Sequence, residues 1–254
     1  MIRSGAMNMG ETTLIHLSRL IALERKLDVV AHNVANSSST GFRARDLSFQ
    51  EYLKPEKGLD EAGKKERPLS LVDPRFQFRN ESQGALQSTG NPLDLAIQGE
   101  GYFVVRTGQG DRYTRAGALT ISASGQIVTL SGEPILGRNG PLQVPADDRD
   151  ISVASDGTVS TKRAILGQLR LVGFSDRARL RPAGESLLET DQPPIDLGRG
   201  QVSLASGYLE KSNVETTREM IRLAEITRSY EMVGRLLKDS QDANDLNKLG
   251  NVPE

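Results

Sequence analysis

Side chains that could support acid–base or metal chemistry are few in this 254-residue chain. Its two histidines, His16 and His32, fall in one predicted helix. Neither belongs to the i, i+4 pair or the HExxH pattern that binds zinc on a helix. The absence of cysteine excludes disulfides, zinc–thiolate sites and a cysteine nucleophile. We therefore interpret both histidines as ordinary residues of a helix surface or seam.

Three other patterns also fall short of a catalytic or metal site. Serines are plentiful, but the GxSxG motif is missing and no histidine lies in the central region to serve one. Gly99 and Gly101 begin a glycine motif that lacks its third glycine and precedes a strand, so it is not a phosphate loop. The acidic group Asp147, Asp148 and Asp150 offers too few oxygens at alternating positions for calcium. The sequence predicts no enzyme activity, no cofactor and no metal.

Two asparagines near position 35 suggest a structural role instead. Asn33 and Asn36 lie one turn apart at the end of a helix predicted over 12–36. They could mark a frayed helix end, or their amides could bond a neighbouring backbone and lock the turn that follows. We expect Asn36 to stop the helix in the left-handed conformation, with 37–41 as a turn.

The helices that position these residues carry heptad seams at the two ends of the chain. The first seam also contains Glu24; its apolar members are Leu17, Leu20, Leu27, Ala31 and Val34. The second helix is expected to start with Ser212 or Asn213 as its N-cap. Its seam comprises Leu223, Ile226, Tyr230, Val233 and Leu237, followed by the polar Ser240 and Asn244. So long a helix cannot bury its stripe against a small β-domain alone, so each helix is the expected partner of the other.

Between the helices the pattern is that of short strands separated by Gly, Asn, Asp and Ser. Gly108 to Gly110 predicts a tight turn, Asp156-Gly157 predicts a hairpin, and 168–174 predicts one long strand. The charged segment 56–68 predicts an exposed loop. We therefore predict an α+β fold in which the terminal helices pair as a coiled-coil-like core domain and an all-β domain of hairpins is inserted. The expected divisions are 1–45 plus 206–254 for the helical core, 46–90 for an extended linker, and 91–205 for the β-domain.

Composition narrows the class of function further. Lys and Arg total 32 and Asp and Glu total 33, so the net charge of −1 argues against a nucleic-acid partner. No run of 18 or more apolar residues predicts a membrane span. Hydrophobic residues make up 37% and aromatic residues 4%, which suits an elongated or oligomeric protein. The N-terminus lacks the basic-then-apolar order of a secretory signal. We expect a cytoplasmic protein, or one that leaves by a route without a cleaved signal.

Three ordered motifs resemble those of the bacterial flagellar rod and hook proteins. They are AHNVANSSSTGFRA (31–44), NPLDLAIQGEGYFVV (91–105) and GYLEKSNVETTREMIRLAEITRSYEM (207–232). His32 departs from the pattern, which usually has Asn there. The size of the β-insertion resembles that of the two mid-sized rod proteins. Residues 27–53, which include the first motif, and the tail 229–250 look more like the proximal FlgF type. The distal FlgG type remains the alternative.

The resemblance implies a structural axial subunit of the basal-body rod in the periplasm. In that family the terminal helices form a coiled-coil core around a central channel, and the β-domain lies outside it. Subunits pass through the flagellar type III export apparatus and polymerise with copies of themselves and with other rod proteins. A secreted surface adhesin is a far weaker alternative. The expected subunit-interface residues are Leu17, Leu20, Leu27, Ala31, Asn33, Val34, Asn36, Thr40, Gly41, Phe42, Ser212, Asn213, Leu223, Ile226, Tyr230, Val233 and Leu237.

Overall fold

The structure, a computed structural model, describes residues 9–54, 69–148, 150–184, 186–198 and 200–250. It is an α+β protein with one long helix near each end of the chain and many β-hairpins between them. The α+β prediction is therefore confirmed. The charged segment predicted as an exposed loop, 56–68, lies outside the described residues.

The two helices are α1 (Met9–Ala35) and α2 (Thr216–Gly250). They contact each other. Neither described helix is long and apolar enough to cross a membrane. α1 ends one residue before Asn36, as its sequence pattern predicts, but α2 begins later than the predicted caps.

The described residues also form nineteen strands, most of them only two to six residues long. They are β1 (Arg45–Lys54), β2 (Leu69–Arg79), β3 (Leu86–Ser88), β4 (Leu95–Gln98), β5 (Tyr102–Thr107), β6 (Gly110–Thr114), β7 (Leu119–Ile121), β8 (Ile127–Thr129), β9 (Leu136–Gly137), β10 (Gly140–Pro141), β11 (Ser152–Val153), β12 (Thr158–Ser160), β13 (Ile165–Gln168), β14 (Leu171–Gly173), β15 (Arg181–Pro182), β16 (Leu187–Glu189), β17 (Ile195–Asp196), β18 (Ser203–Ser206) and β19 (Tyr208–Glu210).

The largest sheet has the order β15-β16-β6-β5-β14-β17, and a three-stranded sheet has the order β11-β12-β13. The remaining strands pair in twos: β1 with β2, β3 with β19, β4 with β18, β7 with β8, and β9 with β10. The pairings for which a register is defined are antiparallel, as expected for a chain of hairpins.

The chain divides into two compact units. The first contains α1, β1, nearly all of β2, and α2; the second contains 36–44 and 79–214. This division differs from the one expected from sequence in three places, one of which is that 206–214 falls in the second unit and not with the helices. Segment 46–90 contains β1, β2 and β3 and is more than a linker. Residues 36–44 belong to the second unit, called the β-rich unit below, because their backbone and side chains hydrogen-bond within it.

β5 shows why the second unit has two layers of core. Successive side chains in a strand point to opposite faces, and here both faces are covered. Phe103 and Val105 pack in one apolar cluster with Leu95, Ile97 and others. Tyr102 and Val104 pack in a second cluster on the opposite face. A continuous apolar run such as YFVV is therefore the signature of a strand buried on both sides.

The structure contains both predicted turns but not the predicted long strand. Thr107 pairs with Gly110, which closes the expected tight turn, and Gly157 has φ +85° in the expected Asp-Gly hairpin. The single strand over 168–174 is wrong. Leu169 donates its backbone N–H to Gly157 and Arg170 donates to Leu136, so the chain leaves the three-stranded sheet and enters the large one.

Candidate functional site

On α2, the predicted heptad seam matches the less exposed face of the helix. Val233 is buried, and Leu223, Ile226 and Leu237 are half-buried. Tyr230 is more exposed than these, at 38%. The seam is continued toward the start of the helix by Glu219, which is buried although it carries a carboxylate.

On α1, the buried face is rotated away from the predicted seam. Ala22, Val29, Val30 and Asn33 are buried. Of the predicted seam residues, Leu17 and Ala31 are exposed, and Leu20, Leu27 and Val34 are half-buried. The heptad reading identified the apolar stripe of α1 but not the side of it that this chain buries.

Asn33 forms the polar centre of the helix pair. Its Oδ1 accepts the backbone N–H of Arg45 at 2.8 Å, and its Nδ2 donates to the carbonyl of Arg45 at 2.8 Å. The same Nδ2 donates to Glu219 Oε2 at 3.1 Å, and Arg222 Nη1 donates to Glu219 Oε1 at 3.1 Å. A fully satisfied buried network of this kind fixes one register between its elements. The side-chain amide of Asn33 therefore hydrogen-bonds the backbone of Arg45, which is one of the two interpretations of the sequence given above.

His32, next to Asn33, is partly buried. Burial, and then the nearby positive charge of Arg45, lower the pKa of His32 below its ordinary value. The neutral imidazole is therefore the form that suits the folded helix.

The turn after α1 is held within the second unit. The carbonyl of Asn36 accepts the N–H of Ser39 at 3.1 Å, and Asn36 Oδ1 accepts the Ser39 hydroxyl at 3.2 Å. The expectation that Asn36 is left-handed is wrong, since among the described non-glycine residues only Ser186 has positive φ. The left-handed residue is Gly41, with φ +67°, because Asn36 keeps its turn by hydrogen bonding instead.

Gly41 is required by space as well as by conformation. A Cβ at this position would lie 2.6 Å from the carbonyl carbon of Arg115. Its N–H donates to the carbonyl of Glu210 at 2.8 Å. The neighbouring Phe42 is buried and Thr40 is half-buried, so the turn lies against the β-rich unit without a gap for a side chain at Gly41.

Asn213 clamps the turn rather than capping α2. Its Oδ1 accepts the N–H of Ala44 at 2.7 Å, and its Nδ2 donates to the carbonyls of Asn80 and Ser82 at 2.9 and 2.8 Å. The N-cap prediction is therefore wrong for Asn213, whose side chain is already committed. The Ser212 hydroxyl accepts the N–H of Val214 at 3.2 Å, and α2 begins only at Thr216.

Glu210, Arg43 and Arg115 form a buried ion cluster that the sequence analysis did not predict. The Glu210 side chain is 1% exposed and accepts from Arg43 Nη2 at 2.9 Å and from Arg115 Nε at 2.8 Å. Its Oε1 also accepts the N–H of Gly84 at 3.0 Å. Arg115 further donates to the carbonyls of Ile97, Gly99 and Gly101. A lone acidic residue in the short strand motif YLE was the only available signal.

Both helices leave apolar side chains on their surfaces. On α1 the exposed residues follow 3,4 spacing: Leu14, Leu17 and Ile21. Among the α2 side chains whose exposure the structure describes, the exposed large hydrophobic residues other than Tyr230 are Met220, Ile221, Met232 and Leu236. Contiguous exposed apolar residues on a helix are typical of a surface that contacts another chain.

Three family models match the chain in order. They describe a flagella basal body rod protein (14–43), the D1 domain of flagellar hook protein FlgE/F/G (96–161) and the C-terminal part of flagellar basal body rod FlgEFG protein (205–246). The chain is 36% identical over 239 residues to the flagellar basal-body rod protein FlgF of Caulobacter vibrioides, covering 92% of this chain and 95% of that protein. The chain belongs to the flagellar basal-body rod protein family.

Other members of the rod family agree with this assignment. FlgF of Rhizobium meliloti is 34% identical, covering 91% of this chain and 93% of that protein. FlgG of Bacillus subtilis is 31% identical, with 89% and 93% covered. The FlgF type is therefore the better supported and the FlgG type the next. The rod family is structural, so this member is not an enzyme.

Proposed function

We propose that this chain is a structural axial subunit of the bacterial flagellar basal-body rod, polymerising through its terminal helices to help form the drive shaft and the export channel. The observation that carries the proposal is the arrangement of α1 and α2. They contact each other on one side, while Leu14, Leu17 and Ile21 of α1 remain exposed on another. In this proposal the helices pair as a coiled-coil-like core, and the exposed stripe meets another subunit.

Burial of the exposed apolar stripe favours association of several copies. Burial of apolar surface contributes about 25 cal/mol per Å², and a helix with exposed leucines on one face gains that term only on contact with another chain. A head-to-tail contact between copies, when it does not close into a ring, gives an open helical filament. A rod is such a filament.

We propose that the residues expected from sequence all serve the subunit interface. Some of them contact a second subunit directly, and others act indirectly. Leu17, Ala31 and Tyr230 are exposed in the single chain and suit contact with a second subunit. Asn33, Gly41 and Asn213 hold the helix pair and the turn within the chain, so we propose that they shape the interface indirectly.

The proposed partners follow from membership of the rod family and from what the sequence resemblance implies. They are copies of this chain, other proximal and distal rod subunits, and the flagellar type III export apparatus. We propose the periplasmic rod of the basal body as its location, reached without a cleaved signal peptide. We propose neither a nucleic-acid partner nor insertion into a membrane.

The test is complementation of a strain that lacks this gene. Leu237→Asp and Leu27→Asp each place a carboxylate in the proposed helical core, which costs several kcal/mol when it is buried without a partner. We expect both variants to be exported and to leave the cells non-motile. Motility at the wild-type level would contradict the helical-core assignment.

Export is tested separately in a strain that lacks the flagellar export gate. We expect the wild-type chain to stay inside those cells and to leave cells with an intact gate. Export that continues without the gate would overturn the proposed route.

A further inference from the structure

The second unit contains a cavity of about 640 Å³. Its wall includes the basic residues Arg43, Arg115 and Arg177, the acidic residues Glu81 and Glu100, and the aromatic and apolar residues Tyr102, Phe174 and Leu197. All of these residues belong to the β-rich unit.

The charges in and next to the wall do not balance. Arg43 and Arg115 share the single carboxylate of Glu210. Two other arginines have a glutamate each: Arg79 pairs with Glu81 at 2.7 Å and Arg177 with Glu100 at 2.9 Å. Four guanidinium groups therefore face three carboxylates, and one positive charge in this cluster is left over.

The surplus falls on Arg43. Its side chain is 5% exposed, and only Nη2 reaches a carboxylate. Nε and Nη1 are closed to water and have no hydrogen-bond partner. Burial is the largest cause that lowers the pKa of Arg43, ahead of the opposing effect of Glu210. A buried cation with unpaired donors is costly, and a second anion would offset that cost.

We propose that this cavity is a carboxylate-binding site in which Arg43 supplies the binding cation. A planar guanidinium with unused N–H groups matches the geometry of a carboxylate, and hydrogen bonds between ionised partners are about twice as strong as neutral ones. Arg43 forms part of the cavity wall, so a turn of its guanidinium toward the cavity brings an unpaired donor to the ligand. Tyr102 and Phe174 provide an apolar border for the carbon side of the ligand.

The experiment measures the binding of carbon-13 acetate to the folded full-length chain by NMR line broadening, with chloride keeping the ionic strength constant. We expect saturable broadening with the wild type. Arg43→Lys keeps the charge but loses the planar donors, so its affinity should fall about tenfold, which corresponds to 1.4 kcal/mol. Arg43→Gln should abolish saturable binding. The matched control is Arg112→Gln, which removes an arginine of the same unit that pairs with Glu189 outside the cavity wall, and it should bind acetate as the wild type does.

Two results would overturn the site: no saturable broadening with the wild type, or unchanged binding in Arg43→Lys. The second result does not depend on whether Arg43→Gln folds. Sedimentation then separates two sources of the carboxylate. If acetate shifts concentrated protein toward the monomer, the natural occupant is an Asp or Glu side chain of a second copy. If acetate binds and sedimentation is unchanged, the occupant is a free small carboxylate.

Discussion

The amide of Asn33 in α1 lies 3.1 Å from the carboxylate of Glu219 in α2, although 186 positions separate the two residues in the chain. Both side chains are buried. The contact joins one asparagine of the first motif (31–44) to one glutamate of the last motif (207–232). A hydrogen bond between buried side chains, as well as apolar packing, therefore holds α1 and α2 of this rod-family chain together.

Asn33→Asp should destabilise the helix pair strongly. The new carboxylate oxygen would face both the carbonyl of Arg45 and the carboxylate of Glu219, where Nδ2 now donates. An unsatisfied and repelling buried charge costs about 3 kcal/mol. Chemical denaturation followed by far-UV circular dichroism would measure this loss. Adding Glu219→Gln should restore part of it, because an amide can donate to the new carboxylate. A double variant no more stable than Asn33→Asp would show that the two side chains are not coupled.

Glu210→Gln should destabilise the β-rich unit by about 3–5 kcal/mol, because it leaves two buried guanidinium groups without their shared anion. The matched control is Glu189→Gln, which breaks an ion pair with Arg112 at a carboxylate that is 43% exposed. Exposed ion pairs contribute about 0–1 kcal/mol, so the control should change little. Urea unfolding monitored by tyrosine fluorescence gives both values, and equal losses would refute the importance of the cluster.

Gly41→Ala should be much more harmful than Gly90→Ala. Both glycines have left-handed φ, +67° and +73°, so each substitution carries a conformational cost of about 1–2 kcal/mol. Only at Gly41 would the added methyl also collide with the backbone of Arg115; at Gly90 nothing lies within 4 Å. Thermal unfolding of the two variants side by side separates strain from collision. Similar melting temperatures would mean that the turn is not packed as described.

The first unit should lose stability as the pH falls below about 6.5, the ordinary pKa of histidine. The folded-state pKa of His32 is lowered by burial and by Arg45, so the unfolded chain binds the proton more readily. The contribution is fully present above the unfolded pKa and is lost as the pH falls toward the folded one. His32→Asn should flatten this part of the pH profile in urea unfolding. An unchanged slope would remove His32 as its cause.

The sequence allowed the main elements of this fold to be predicted, because their signals are local. Heptad spacing identified α1 and α2, and the unbroken apolar run 102–105 identified a strand that proves to be buried on two faces. The Asp-Gly and Gly-Gln-Gly turns followed from the tolerance of those residues for positive φ. The signature asparagines pointed to a locked turn, and Asn33 does bond a neighbouring backbone.

What the sequence did not reveal depends on contacts between distant residues. The sequence around Asn213 is typical of an N-cap. Its side-chain amide instead hydrogen-bonds the N–H of Ala44 and the carbonyls of Asn80 and Ser82. Arg43, Arg115 and Glu210 look like ordinary charged residues until the strands bring them together. The buried side of α1 also escaped prediction, because its stripe is wide enough that the heptad pattern fits more than one face.

The most direct test of the assembly surface is the sedimentation behaviour of Leu17→Asp beside Leu130→Asp. Both leucines are exposed in the single chain, at 45% and 76%, so neither substitution should change the melting temperature of the monomer. Leu17 lies on the α1 stripe, whereas Leu130 lies in the β-rich unit. We predict that, at concentrations where the wild type forms filaments, Leu17→Asp stays monomeric and Leu130→Asp assembles. Filaments formed by Leu17→Asp with wild-type yield would contradict assembly through the terminal helices.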